Sequence, residues 1–369
     1  METEMTSNYT CTTHDSFPFA TEQEWKVLEK KDQLYTSFSS FLWLSTWWNH
    51  FGSAFKTRIV IVRENGRIVG IGPFISGSVC LKRIPILRTI AFVEGIATTY
   101  KDIIYGEKEQ DAICQEILGH LRTSEIRWDM LSLWNIPEDS PTNTGLNEFC
   151  KKYNLRMVQP AGIKIPVIKL TKTFDEYLMG LKATVRRNIR NNMRRVFDHE
   201  AIAFNVISKP SIEDINRFID LHQKLWNSRG KPGVFKNKDI LAFYRDVLVK
   251  LADTGEHIMF EIQHSGKAIA MCSRFLYGNT MHSFLEGWDP EWKAFGLGKV
   301  IDILSIRYAI EKGMTEYDFS IGDYKYKYEY TDHFKTNKHY MIFRTKYAYS
   351  TYMTMECCAN FAKKLIGRK

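Results

Sequence analysis

One succession of elements occurs twice in the chain, and that repetition restricts the fold more than any single motif. "TRIVIVRENGRIVGIGPFISG", residues 57–77, reads as two β-rich runs joined at Glu64-Asn65-Gly66. Asn-Gly between apolar runs is the strongest short signal for a hairpin. About 200 residues later, "EHIMFEIQHSGKAIAMCSRFLYG", residues 256–278, repeats the scheme with Ser265-Gly266 at the turn. A helical, aromatic-rich segment ending at glycine precedes each hairpin: "SSFLWLSTWWNHFG" and "DILAFYRDVLVKLADTG". Further on, each is followed by a helix-like stretch and a strand with an aromatic-Asp pair, Trp128-Asp129 and Tyr317-Asp318. Two hairpins with glycine turns align by chance easily, but flanking elements recurring in the same order point to duplication of one α/β unit.

The length agrees. At 369 residues the chain suits two domains of roughly 150–200 residues. We place them at residues 20–165 and 166–340, with a terminal helix over 341–369. The formal charge of +9 favours an anionic partner without choosing one. Seven scattered cysteines lack CxxC spacing, so neither a disulfide framework nor a zinc site is indicated, and a reducing cytoplasm is the expected location. The chain starts without a signal-peptide pattern, and no run of apolar residues is long enough to span a bilayer, so no stable membrane insertion is expected. The tail "YMTMECCANFAKKLIGRK" reads as a packed, basic-ended helix.

Two stretches bear on ligands. In "LKATVRRNIRNNMRRVFDHE", Arg186, Arg190 and Arg194 are spaced i, i+4. Each like-charged pair costs a helix about 0.2–0.5 kcal/mol, so either a phosphate-rich ligand or a solvated face eased by Asp198 and Glu200 is expected. In "EWKAFGLGKV", after the strand "TMHSFLEGWDP", Lys293 stands three residues before Gly296-Leu297-Gly298, and Lys299 follows. Glycines admit a pyrophosphate close to the backbone, and the unpaired N–H groups and dipole of the following helix, expected over residues 299–312, favour negative charge. A lone G-x-G is often mere packing, and its weight comes from its place between strand and helix with lysines on both sides. The first repeat has no such loop, so the second should hold the cofactor and the first shape the substrate side.

K-x-x-G-x-G opening a helix resembles the acyl-CoA pyrophosphate loop of the GNAT acyltransferases. Four patches, "FLWLSTWWNHFG", "LKATVRRNIRNNMRRV", "FIDLHQKLWNSRGKPGVF" and "YDFSIGDYKYKYEY", resemble the GNAT-like acetyltransferases of cellulose and exopolysaccharide biosynthesis, the CelD/BcsL type. That family is similar in turn to the Fem enzymes, which transfer amino acids from aminoacyl-tRNA. The likeness covers most of residues 37–332. It implies an α/β protein of two tandem GNAT-like domains, each a mixed, largely antiparallel sheet flanked by helices. It departs at Phe295-Gly296-Leu297-Gly298, where the family tends to carry Ser-Pro-Gly, and at Leu285-Glu286-Gly287-Trp288, so the acceptor does not carry over.

The implied reaction is acyl transfer from acetyl-CoA or another acyl-CoA to an amine of a small molecule or polysaccharide precursor, with no metal. The Lys293–Gly298 loop, with Phe295, Gly296, Leu297 and Lys299, is the expected donor site. An alkyl amine with a pKa near 10.4 must lose a proton before it attacks. Asp323 is the first candidate base and Glu286 the second, although a strand-end carboxylate capping a turn explains Glu286 equally well. Tyr326 is the candidate proton donor to the thiolate. On the acceptor side stand His222, Trp226, Arg229, Phe235 and Lys327; core packing accounts as well for Trp226 and Phe235, and a surface pair with Glu329 for Lys327. A Fem-like transferase using aminoacyl-tRNA is the competing reading, supported by the charge and the arginine helix.

Overall fold

Two hairpin turns set the frame. Asn65-Gly66 and Ser265-Gly266 both adopt positive φ at both positions (48° and 80°, 50° and 77°), the left-handed turn whose twist matches that of the strands it joins. The computed structural model describes residues 9–32, 34–93, 98–322 and 324–366, with side chains as far as residue 358. The chain forms two compact units, residues 1–163 with 336–369, and residues 164–335.

The first unit contains β1 (Tyr9–His14), α1 (Glu22–Glu29), α2 (Phe41–Phe51), β2 (Lys56–Glu64), β3 (Arg67–Leu81), β4 (Ile84–Phe92), β5 (Ile104–Tyr105), α3 (Gln110–Thr123), β6 (Met130–Pro137), α4 (Pro141–Lys152) and β7 (Arg156–Val158). The second contains β8 (Ile163–Lys169), α5 (Phe174–Gly180), α6 (Ala183–Phe197), β9 (Ile202–Ile207), α7 (Ile212–Ser228), α8 (Lys238–Asp253), β10 (His257–His264), β11 (Lys267–Tyr277), β12 (Thr280–Trp288), α9 (Leu297–Glu311) and β13 (Glu316–Asp318). β14 (His333–Phe343) and α10 (Lys346–Ile366) then complete the first.

The duplication is visible in the topology. In the first unit β1-β2-β3-β4 is an antiparallel meander, α3 crosses over, and β6 returns parallel to β4. In the second, β9-β10-β11-β12 is the same meander, α9 crosses over, and β13 returns parallel to β12. Each returning strand gains an antiparallel neighbour, β14 against β6 and β8 against β13. Both units are therefore mixed, largely antiparallel sheets flanked by helices, as the family resemblance implied. That β14 belongs to the first unit could not be read locally, because its partner β6 lies some 200 residues away in sequence.

Packing in the second unit fixes the helices and strands that carry the candidate site residues. Helix α9 is buried nearly all round: Val300, Ile301, Ile303, Ile306 and Ile310 enter a core with Ile258, Phe260, Tyr317 and Phe319. Burying an aliphatic side chain of this size contributes about 1.5–3 kcal/mol. Val185, Ile189 and Val196 of the arginine-rich helix α6 join the same core, so its basic residues are left outside. Helix α7 lies unusually close to β12. A Cβ on Gly287 would stand 2.3 Å from the His222 amide nitrogen, so only glycine permits this approach.

Candidate active site

The strands β12 and β13 run together for three residue pairs only, Thr280 to His282 against Glu316 to Asp318. Beyond them β12 continues to Trp288, and a bulge at Phe284-Leu285, opposite Ser273, redirects it. Glu286 therefore sits on the part of β12 that has left its parallel neighbour. Trp288 ends the strand, and a short helical turn, Pro290–Phe295, leads into α9.

The loop is anchored from below. Asp289 accepts the Glu291 N–H at the head of the turn, and its buried carboxylate pairs with Lys224 of α7 at 2.7 Å. Phe295 packs on Trp292 and Leu297 is buried, so these side chains turn inward. Gly296, at φ 64°, is the N-cap of α9, and the helix starts at Leu297, two residues earlier than the sequence suggested. The N–H groups of Lys299 and Val300 both return to the Gly296 carbonyl. Those of Leu297 and Gly298 occupy the first helical positions, which have no intrahelical acceptor.

Gly298 brings the site together. A Cβ there would lie 3.1 Å from Trp288 Nε1 and 3.3 Å from Glu286 Oε1. The helix N-terminus, the strand-end carboxylate and an indole N–H thus converge on one point, in a cradle that a larger residue would fill. Arg229, at the C-terminal end of α7, lies over both Trp226 and Trp288 at 5.7 Å from each ring. This exposed cation accordingly flanks the same helix end. Lys299 pairs with Glu329 at 3.7 Å and lies 6.0 Å above the Tyr326 ring, while Lys293 is exposed.

Behind this point is a buried polar network that sequence reading missed. Arg274 of β11 donates to Asp302 of α9, to the Tyr317 hydroxyl at 2.9 Å and to the Ser273 carbonyl at 2.9 Å. Tyr326 donates to the other oxygen of Asp302 at 3.0 Å, and Ser305 meets Tyr317 at 3.0 Å. Burial raises the Asp302 carboxyl against the opposing pull of Arg274 and the Tyr326 hydroxyl. Glu286 faces this charge. Burial first, then Asp302, pushes its pKa from 4.5 up to about 8, against Arg274, Lys327 and Arg229. Burial and Asp302 likewise hold the Tyr326 phenol well above its ordinary range. A signal for the network exists in the sequence: single opposite charges in otherwise apolar runs, Val300-Ile301-Asp302-Ile303 and Cys272-Ser273-Arg274-Phe275. Buried charges require partners, and each is the other's.

The remaining predicted residues fall in three places. Lys327 is buried, its ammonium directed at the carbonyls of Phe319 (2.8 Å), Ile321 (3.4 Å) and Ser320 (3.5 Å), so it fastens the chain leaving β13. Glu329 pairs with Lys299, not with Lys327. His222 is buried beside Phe235, at 4.9 Å, and Trp226; its Nδ1 has no partner among the described residues, and burial pushes its pKa down to about 4. Phe235 is buried with it. Asp323 lies outside the described residues. Among the described residues no His, Cys, Asp and Glu side chains are grouped as a metal site, and all seven cysteines are free.

Comparison with known proteins agrees with this geometry. Residues 183–328 match the family model of the acetyltransferase (GNAT) domain. The matched segment carries α6, the cradle and the network, and the chain is a transferase of the acyltransferase class. No curated protein matches. Among solved structures the chain is similar to FemX, with a TM-score of 0.58 at 12% identity over 86% of this chain and 95% of that one. It is similar also to the C-terminal domain of a putative lysylphosphatidylglycerol synthetase from Agrobacterium fabrum (0.55, 9%, 91% and 95%). The L-PGS of Bacillus licheniformis gives 0.54 at 12% over 94% and 97%. At these identities the likeness shows the fold alone.

Proposed function

We propose that the second unit transfers an acyl group from acyl-CoA, acetyl-CoA in the simplest case, to an amine of a small molecule or polysaccharide precursor. The carrying observation is the meeting of Gly298, Trp288 and Glu286 at the α9 N-terminus. The Leu297 and Gly298 N–H groups, with Arg229, Lys293 and Lys299 around them, suit a pyrophosphate. The gap between β12 and β13 would take the pantetheine arm, added like a strand to an open edge.

Glu286 is the general base in this reading, since a carboxylate with a pKa of about 8 removes a proton near neutral pH more readily than an ordinary one. It takes a proton from the acceptor ammonium, directly or through water; the freed amine attacks the thioester carbonyl, and as the tetrahedral adduct collapses the C–S bond breaks, CoA leaves as its thiolate and takes up the proton that the new amide nitrogen gives up. A backbone N–H of β12 stabilises the adduct's oxyanion. Tyr326, held on Asp302 with a raised pKa, is better suited to fixing that carboxylate than to protonating the thiolate. Asp323, the first candidate from the sequence, is the alternative base.

A specific observation supports the aminoacyl-tRNA alternative. Arg187, Arg190 and Arg194 of α6 are exposed, and Arg195 donates to the Ala294 carbonyl at 2.8 Å, so a basic ridge adjoins the donor loop. Thermal unfolding separates the two. Under the CoA reading, CoA or acetyl-CoA at a hundred times its Kd stabilises the wild type by about 2.7 kcal/mol. Gly296→Asp removes the effect, because its carboxylate occupies the phosphate position. If millimolar CoA produces no shift while charged tRNA binds with steep salt dependence, the donor is aminoacyl-tRNA.

A further inference from the structure

The two repeats differ at one hairpin. In the second unit, β12 is paired with its parallel neighbour from its first residue, Thr280. In the first unit, β4 starts at Ile84 but meets β6 only at Arg88 and Thr89, where Arg88 and Asp129 exchange backbone and side-chain bonds. Four residues, at about 3.3 Å each, carry the β3–β4 tip roughly 13 Å beyond the third strand.

The tip has an apolar face that is only partly covered. The pairs Leu81↔Ile84 and Val79↔Leu87, with the register shift between them that leaves Ile86 unpaired, place Val79, Leu81, Ile84 and Leu87 on one side. Val79 and Leu87 pack under Ala348, Tyr349 and Tyr352 of α10. Leu81 is 53% exposed, Ile84 64% and Ile86 38%. No acidic residue occurs from Gly77 to Thr89.

The turn at the tip is the second observation. Lys82 and Arg83 have φ of 49° and 71°, the conformation of Asn65-Gly66 and Ser265-Gly266. The other two turns use glycine at the second position, where it adopts this conformation without strain. Arg83 is strained there, so two cations are kept at the tip against the backbone preference.

We propose that the β3–β4 tip inserts into the surface of an anionic lipid bilayer, with Leu81 and Ile84 at the acyl boundary and Lys82 and Arg83 on lipid phosphates. A protein partner fits less well. Three aliphatic side chains fall far short of the roughly 1,000 Å² of a specific protein interface, and Pro85 on the free edge has no N–H for an added strand. Shallow insertion of aliphatic groups ringed by cations is what an anionic interface rewards. No helix among the described residues is long and apolar enough to cross a membrane, so the contact is peripheral.

The test is sedimentation of the full chain with phosphatidylcholine vesicles, with and without phosphatidylglycerol. Wild type is expected to bind the anionic vesicles alone. Lys82→Asn/Arg83→Gly restores an Asn-Gly turn, so it should unfold at a higher temperature, yet bind about 30-fold more weakly, at roughly fivefold per cation. Leu81→Ser/Ile84→Ser should weaken binding at least about tenfold with the melting temperature unchanged. Failure of wild type to bind anionic vesicles overturns the proposal. So does equal binding by the serine variant, which would make the attraction purely electrostatic. Self-association lost in that variant, without vesicle binding, would assign the tip to a second copy of the chain and overturn it as well.

Discussion

Replacing Glu286 by glutamine should make the protein more stable and less active at once, and both effects come from one shifted proton. The carboxyl has a folded pKa of about 8 against 4.5 in the unfolded chain, because burial and the Asp302 charge oppose ionisation. Between those values the folded state binds the proton more tightly than the unfolded state does. The contribution of Glu286 to stability is therefore full below about pH 4.5 and is lost as pH rises toward 8. Converted entirely, that interval corresponds to about 5 kcal/mol, at about 1.4 kcal/mol for each tenfold change in proton affinity. Glu286 is half-buried, and solvent screening brings the expected loss to the order of 1–3 kcal/mol. Glutamine does not ionise, so the melting temperature of Glu286→Gln relative to wild type should climb between pH 5 and pH 8.5. For a unit of this size each kcal/mol is worth roughly 2–4 °C. Titrating groups remote from Glu286 behave alike in both proteins and cancel in the difference, whereas Asp302, which shares its field, is part of the effect being read. Two melting curves that stay parallel across that range would refute the raised pKa and, with it, the case for Glu286 as base. On the kinetic side, kcat/KM of the wild type should rise through an apparent pKa near 8, and the variant should lose about 10²–10⁴-fold.

Asp302→Asn breaks the pair with Arg274 and leaves a fully buried guanidinium uncompensated, which should cost about 3–5 kcal/mol, read as the denaturant midpoint; a change below about 1 kcal/mol would mean that the pair is not buried as described. Gly287→Ala sets a methyl group 2.3 Å from the His222 amide nitrogen, so α7 must move off β12, with a loss of about 1–3 kcal/mol by chemical denaturation and no rescue by ligand. Gly298→Ala crowds Trp288 and Glu286 without filling a core, so CoA affinity in calorimetry should fall by more than stability does.

Local chemistry made the architecture readable. Both hairpin turns and the apolar crossover helix behind its glycine loop are features that neighbouring residues determine, and each appears where the sequence placed it within a few residues. The strand expected around Tyr317-Asp318 stops at Asp318, since Ser320 takes positive φ and Lys327 ties down the carbonyls beyond it. Lys327 reads from the sequence as an acceptor-side cation or a surface partner of Glu329, because nothing in the string Lys325 to Glu329 shows that the chain folds over it. Arg274 and Asp302 lie 28 positions apart, and their partnership depends on β11 and α9 sharing a core. Only the presence of one charge in each apolar run pointed to it.

Hydrogen exchange of the full chain with and without saturating acetyl-CoA tests the central claim most directly, because it reads backbone amides at the place where the donor should bind. The account predicts protection confined to the second unit, strongest in peptides spanning residues 293–300 and including the β12 segment with Glu286. Protection in the first unit alone, or none at millimolar acetyl-CoA, would contradict it.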